Sequence, residues 1–537
     1  MSFDTVIVGA GSAGSLLALR LAEAGQSVAV IEAGGSDRHP YVHIPAGYAR
    51  ILTHPRLTWG FSTAPDAELG LPAYDYPRGK VWGGSSSING LGHVRGHPSD
   101  YDLWTQHGAL GWGWEAMLPA FRRHEAFRGP DPDGLRGRDG PIPVSPLAET
   151  PPLLAKMIAA AEAVGIPHNE DMNGPRREGV ALFQQTRRGR VRVSAARACL
   201  LPAMKTGRVK LFDRSLALRV VVEDGRATGV AIRRDGQDQV VSARREVVLA
   251  AGAIGSPHLL MLSGLGPAGA LQAQGITPLR DLDIPGIGQN LQDHFIVRLS
   301  FRLAEHRWSA NRRIVWPRLG LEAARWALRG DGVLTWSPGM MAVFADSRRI
   351  EAGLPPEADG IPDVQFNAGP LSWREGQIGV PEAEPGATVG VWQCRPESRG
   401  EVTLLSADPA AAPRIAPRYL ATQGDRDALL RGLRLARRWM GAGPLAGIVT
   451  GEARPGPEIA TDAALLAFSR ASGGTVYHPC GSVRMGGEDA PLDPQLRLRG
   501  IGGLRVVDAS VFPTMPVCNI NATVLAVAER AAEMMTG

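Results

Sequence analysis

Within the first 32 residues the hydrophobic pattern changes period twice. Thr5-Val-Ile-Val8 is a β-branched run suited to a buried parallel strand. Leu16, Leu17, Leu19 and Leu21 among alanines predict a helix, and Val28-Ala-Val-Ile31 predicts a second strand. Apolar strand-like runs return near 216–222 and 246–250, and the second leads into Ala251-Gly-Ala-Ile-Gly255-Ser-Pro257 and a helical Leu259-Leu-Met-Leu262. Beyond residue 300 the pattern differs. Strand-like runs at 363–367 and 401–405 precede an amphipathic helix at about 425–440, whose Leu429, Leu433 and Met440 predict a buried stripe. Arg431, Arg434, Arg437 and Arg438 predict its solvated face. Near the end an apolar strand at Leu504-Arg-Val-Val507 and a closing helix from about Thr523 return to the apolar strand-and-helix pattern of the N-terminal part. The pattern predicts one domain from 1–295 and 475–537, left and re-entered, and a second from 296–474. Residues 39–75, with scattered His, Pro and aromatics and little periodicity, read as a lid-like excursion, and 145–190 as a contribution to the second domain's side.

Composition narrows the class. A chain of 537 residues, 44% hydrophobic and 21% charged, has enough apolar content for large buried cores, which excludes a disordered or fibrous protein. The net charge of +5 is small for this length and spread along the chain, so nucleic acid is not an expected partner. Cys199, Cys394, Cys480 and Cys518 never stand at metal-ligand spacing, and no metal site or disulfide framework is expected. The chain shows neither a leader pattern nor a long apolar span, and reads as soluble and cytoplasmic.

The chemistry starts at Gly9-Ala-Gly11-Ser-Ala-Gly14, placed between the first strand and the first helix. The first glycine permits the tight turn, the second lets the backbone approach a pyrophosphate at the helix N-terminus, and the third lets helix and strand pack closely. Glu32, at the end of the second strand, is placed to accept from a ribose hydroxyl. The unit therefore predicts dinucleotide binding, without distinguishing NAD from FAD. Arg78-Gly-Lys-Val-Trp-Gly-Gly-Ser-Ser-Ser-Ile-Asn-Gly90 is a second glycine- and serine-rich stretch that would let backbone lie against a flat ring or a phosphate.

Taken with Gly252–Gly266, Gly288-Gln-Asn-Leu-Gln-Asp-His294, Pro396-Glu-Ser-Arg-Gly400, Tyr477-His-Pro-Cys-Gly-Ser-Val-Arg-Met-Gly486 and Gly503–Ser510 running on to Asn519-Ile-Asn521, these stretches resemble the glucose-methanol-choline (GMC) family of FAD-dependent alcohol oxidoreductases over nearly the whole chain. The resemblance implies an α/β plus α+β architecture, with a Rossmann-like FAD-binding domain and a substrate domain built on an antiparallel sheet. It implies FAD contacts from Gly9, Gly11, Ser12, Ala13, Gly14, Glu32 and Ala33, and from Leu218 at the adenine. Val81, Gly84, Ser85, Asn89, Gly90 and Leu91 would follow the ribityl and isoalloxazine, and Asp508, Ala509, Asn521 and Thr523 would close the site. Asp508 also reads as a simple cap. Where some family members tether FAD through a histidine, this chain has Ile88, so the expected FAD is noncovalent.

Oxidising an alcohol requires a base for the hydroxyl proton and a hydride acceptor beside the carbon. The resemblance places the base at His478 and its partner at Asn519, or at Asn521 if the register slips by two, and the partner's amide would hold the oxygen as alkoxide character develops; an asparagine there implies one titrating base and no coupled pair. The expected substrate is a small-molecule alcohol, with O2 or another redox acceptor taking the electrons. In Gly332-Val-Leu-Thr-Trp-Ser-Pro-Gly-Met-Met-Ala-Val-Phe344 no acidic residue occurs, and Trp336, Met340 and Met341 predict an apolar wall. A neutral primary alcohol, aryl or furanic before polyol, is therefore expected over choline, although Trp336 leaves cation–π attraction open. The competing functions are a lyase or decarboxylase on the same FAD scaffold, in the manner of a hydroxynitrile lyase or a light-driven fatty-acid decarboxylase, and an NAD-dependent dehydrogenase.

Overall fold

The computed structural model describes residues 1–279, 282–357, 360–377 and 379–537. Two seven-stranded sheets carry the chain. In the first, strands Ser2–Val8, Val28–Ile31 and Val209–Phe212 run parallel, and Ser2–Val8 also pairs in parallel with the C-terminal half of Gln237–Leu249. Strand Leu504–Val506 adds to the far side of Gln237–Leu249, also parallel. Ser215–Glu223 and Arg226–Arg234 extend it as an antiparallel meander.

The β-branched run at 28–31 is wholly buried because helices cover the sheet. Helix Ser12–Glu23 packs on it through Leu16, Leu17, Ala18 and Leu21, and helix Asn521–Thr536 lies against that helix. Burying each of the three leucines contributes about 1.5–3 kcal/mol, which fixes the glycine turn between strand and helix on a rigid base.

The second sheet is antiparallel, in the order Val449–Arg454, Phe295–Leu303, Gly386–Gln393, Val364–Gly369, Met341–Ala345, Gly179–Leu182, with Gly474–Thr475 also pairing to Phe295–Leu303. The strand Gly179–Leu182 is thus donated by the 145–190 segment. Helix Gln423–Met440 covers this sheet with Leu429, Leu433 and Met440 buried, as its periodicity requires. Its arginines do more than face water. Arg431 pairs with Asp363 at 3.0 Å and Arg437 with Glu452 at 2.8 Å, tying the helix to the sheet's own loops and strands. Segment 39–75 folds as short helical turns, Pro40–His43, Pro45–Gly47 and Tyr48–Ile51, and then as bridged extended chain. All four cysteines are buried free thiols. Among the described residues no metal-ligand cluster occurs, and no helix is long and apolar enough to cross a membrane.

Candidate active site

The glycine turn is built to a close tolerance. A Cβ on Gly9 would lie 2.4 Å from the Ala250 carbonyl oxygen, and one on Gly14 would lie 2.0 Å from the Gly9 carbonyl oxygen. The helix behind it starts at Ser12 with no side-chain cap, so its first N–H groups stay open toward the turn. Glu32 holds the turn's shape: its carboxylate accepts from the N–H of Ala10 at 3.0 Å and of Gly34 at 2.7 Å. Burial pushes the Glu32 carboxyl up to about 7, against the lowering effect of those two bonds. Each oxygen keeps a second lone pair, which suits a ribose hydroxyl. Ala33 follows, half-buried.

Residues 79–91 lie across this turn. Gly83 donates its N–H to the Ala10 carbonyl at 2.8 Å, and Gly84, at φ +52°, sits so close that a Cβ would come 2.8 Å from the Gly11 Cα. Val81 is buried, and Ser85 Oγ accepts from the Gly79 N–H. Leu91 is held at φ +62° by its N–H bond to Asn89 Oδ1, and Gly90 packs under Pro338 from the second sheet's side. Beside Asn89 stands Arg192, buried without a carboxylate. Its Nη1 donates to Asn89 Oδ1 and its Nε to the Val42 carbonyl, while Nη2 has no acceptor. Burial pushes its pKa down to about 9. An orphaned buried donor in a glycine cradle fits a polar cofactor group lying there.

The remaining positions expected at the cofactor are arranged as follows. Leu218 is an extra residue in its strand: Ala217 faces Ile232 and Arg219 faces Ala231, which leaves the Leu218 backbone outside that ladder. Asn521 Oδ1 accepts from Ser12 Oγ at 2.7 Å, joining the last helix to the glycine turn beside Ala13. Thr523 is engaged elsewhere, at 2.9 Å from the Tyr101 hydroxyl. The Asp508 carboxylate is saturated as a cap by Gly252, Ser256 and Ser510, which leaves its backbone and that of Ala509 to meet a ligand.

His478 and Asn519 come together. Asn519 Nδ2 lies 3.2 Å from His478 Nε2, and Asn519 Oδ1 accepts from Gln365 Nε2 at 3.2 Å. On its other side His478 Nδ1 lies 3.0 Å from Nδ1 of His294, whose Nε2 lies 2.9 Å from the Cys394 carbonyl oxygen. That carbonyl can only accept, and it sets every proton in the row. His294 carries its proton on Nε2, so its Nδ1 accepts; His478 carries its proton on Nδ1, so its Nε2 presents a lone pair, which accepts from Asn519 Nδ2. Burial pushes the His294 imidazole down to about 4, which keeps it the neutral acceptor this row needs. Burial first, then His294 and Arg78, hold His478 well below the ordinary imidazole value. The expected lone base therefore has a histidine partner after all. The His478 backbone is also fixed: its N–H donates to Asp293 Oδ1 at 2.9 Å, and Tyr477 before it is held at φ +70°. Asp293 Oδ2 in turn accepts from Tyr76, Tyr419 and Thr475.

Trp336, Met340 and Met341 are all buried. Met341 lies in a central strand between Ala368 and Leu182, and Met340 bonds through its backbone to Ala368 and Phe183. The Trp336 indole donates to Glu149 at 3.2 Å, a carboxylate that Arg313 and Arg325 also hold. Sequence reasoning missed Glu149, Gln365, Arg192 and the Cys394 carbonyl. His294 closes the Gly288–His294 motif, and its imidazole chemistry was the signal available.

The GMC oxidoreductase family models match residues 3–296 and 396–528. An oxygen-dependent choline dehydrogenase of Rhizobium johnstonii is 40% identical over 547 residues, spanning 100% of this chain and 96% of that protein. The structure of a pyridoxine 4-oxidase from Mesorbium loti superposes with a TM-score of 0.86 at 30% identity, over 99% of this chain and 98% of that one. A fungal aryl-alcohol oxidase does so with a TM-score of 0.82 at 26% identity, over 99% and 98%. With its mixed α/β fold, its glycine cradle and these relatives, the chain belongs to the GMC oxidoreductases, a family of enzymes that use FAD.

Proposed function

We propose that this enzyme oxidises a primary alcohol to an aldehyde, with His478 taking the hydroxyl proton and Asn519 holding the oxygen. The observation that carries the reading is the lone pair left on His478 Nε2 by the row of bonds running back to Cys394. Nε2 and Asn519 Nδ2 are 3.2 Å apart, so a single oxygen can lie within hydrogen-bond distance of both. The hydroxyl replaces the Asn519 amide on Nε2: it donates its proton to that lone pair and accepts a hydrogen bond from Asn519 Nδ2. As the proton leaves, that amide opposes the charge growing on oxygen, and Gln365 keeps the amide from turning over. A histidine held neutral by burial is ready to accept the proton at neutral pH. Bound FAD supplies the hydride acceptor. The cradle from Gly9 to Gly14, Glu32 and residues 81–91 would hold it without a covalent tether, since Ile88 packs into an apolar cluster with Val42, Ile51, Leu57 and Val81.

The substrate reading is a neutral alcohol with an aryl or furanic body. The carboxylate that touches Trp336 is already committed to two arginines, and Arg313 stands 5.1 Å from the centre of the Trp336 ring, which is where a quaternary ammonium would otherwise stack. A second reading, choline, is favoured by the names of curated relatives such as that of Rhizobium johnstonii. Anaerobic mixing of the FAD-loaded enzyme with benzyl alcohol or with choline at matched concentrations decides between them. Faster loss of the flavin's visible absorbance with benzyl alcohol supports the neutral reading, and faster loss with choline replaces it. If no alcohol bleaches the flavin, a lyase or decarboxylase function replaces both.

A further inference from the structure

Four large apolar side chains left in water fall together between residues 315 and 328. Val315, Trp316, Leu321 and Leu328 are exposed by 47, 78, 69 and 84%. They belong to helix Arg318–Arg329 and the turn that leads into it. Leu321, Ala324 and Leu328 recur at helical spacing, so they form one outward stripe, and Trp316 lies against Gly320 at its start. The helix is seated firmly on its other side. Glu322 is buried, receives Arg313 at 2.8 Å and accepts the Val333 N–H at 3.0 Å, while the Trp326 indole donates to the Arg190 carbonyl at 2.9 Å. The outward apolar stripe is therefore a presented surface on an anchored element.

The charge around it is mainly positive, although the exposed Glu384 acts on His306 together with Arg312 and Arg318. Glu149, Glu322 and Asp331 are taken up by Arg313 and Arg325. Arg312, Arg318 and Arg329 are exposed and, among the described residues, make no ion pair. A two-fold contact between copies of this chain would set these arginines near one another, which opposes self-association through the stripe. An anionic lipid surface answers both features at once. Apolar side chains enter the acyl boundary, arginines reach headgroup phosphates, and a tryptophan sits between the two.

We infer that helix Arg318–Arg329 with Trp316 docks this enzyme on an anionic bilayer, lying in the plane of the interface. Residues 330–337 connect the helix to Pro338, which packs on Gly90, so the docked face and a contact of the glycine cradle lie on one continuous segment.

The test is co-sedimentation of the FAD-loaded enzyme with vesicles of phosphatidylcholine containing a quarter phosphatidylglycerol, and with vesicles of phosphatidylcholine alone. The enzyme is expected to sediment with the anionic vesicles, with weaker binding to the neutral ones and in 1 M salt. The double variant Leu321→Glu/Leu328→Glu is expected to lose at least roughly tenfold in vesicle binding while keeping its FAD content, melting temperature and flavin reduction by a soluble alcohol. Both residues point into water, so the variant keeps its fold. Absence of the wild type from the anionic vesicle pellet, or equal binding by the double variant, overturns the inference. So does a wild-type dimer on gel filtration that the double variant breaks with no vesicle binding by either, which assigns the stripe to a second copy of the chain.

Discussion

Replacing His294 by leucine removes the acceptor that keeps the His478 proton on Nδ1. In that variant a buried N–H is left without a partner, which costs about 1–3 kcal/mol. The proton escapes this cost by moving to Nε2, where the Asn519 carbonyl accepts it once the amide turns over together with that of Gln365, whose Oε1 has no partner in the wild-type arrangement. The tautomer balance therefore shifts against the reactive form by about 1–3 kcal/mol, a factor of about 5–150. The same factor is expected in kcat/KM, measured as anaerobic flavin reduction with matched FAD loading. His294 also helps to depress the His478 pKa, so the acid limb of the pH–rate profile is expected to move to higher pH in the variant. His294→Asn places an Oδ1 where the imidazole Nδ1 stood and is expected to recover part of the rate. A wild-type rate in His294→Leu refutes the reasoning. Equal losses in both variants with an unmoved acid limb refute it as well, because they reduce His294 to packing.

Asn519→Ala is expected to slow flavin reduction by roughly tenfold to a hundredfold, less than loss of the base, because a neutral donor to the growing alkoxide is removed; a loss larger than that of His478→Ala in the same assay contradicts the division of roles. Gly84→Ala is expected to weaken FAD binding, read by cofactor titration, since the added carbon meets the Gly11 backbone at 2.8 Å and φ stays positive; unchanged affinity contradicts the cradle. Acid is expected to release intact FAD into solution, and flavin remaining on the denatured chain points to a tether. Finally, His258 and His294 are pushed down to about 4 by burial. As pH falls, the unfolded chain binds protons first, near 6.5, so stability should drop progressively between about 6.5 and about 4, by up to about 3 kcal/mol for each residue. Urea unfolding at about pH 7.5 and 5.0 checks this, and equal stabilities contradict it.

The parts of the site that were legible in the sequence are the local ones. A glycine turn between a β-branched run and an apolar helix writes its geometry into adjacent residues, and the structure finds Gly9, Gly14 and Glu32 in contact through that turn. His478 and Asn519 stand in separate motifs, and the closing strand and helix bring them to 3.2 Å. Their supports come from far along the chain and carry little local signal. His294 is 184 residues from His478, and Gln365 is 154 from Asn519, placed by strand register in the antiparallel sheet. Cys394 contributes a backbone carbonyl, which no side-chain pattern reveals. Arg431 and Arg437 looked like a wet helix face because their carboxylates, Asp363 and Glu452, lie on other elements. The same limit applies to Glu149, whose bond to Trp336 spans 187 residues.

The central claim, that His478 is the base for alcohol oxidation, is tested most directly by anaerobic stopped-flow reduction of the bound flavin in the wild type and in His478→Ala, each loaded with FAD to the same extent. The variant is expected to bind FAD normally and to be reduced by benzyl alcohol about 10²–10⁴-fold more slowly, the range of a lost general base. Reduction of the variant at a rate near that of the wild type contradicts the claim.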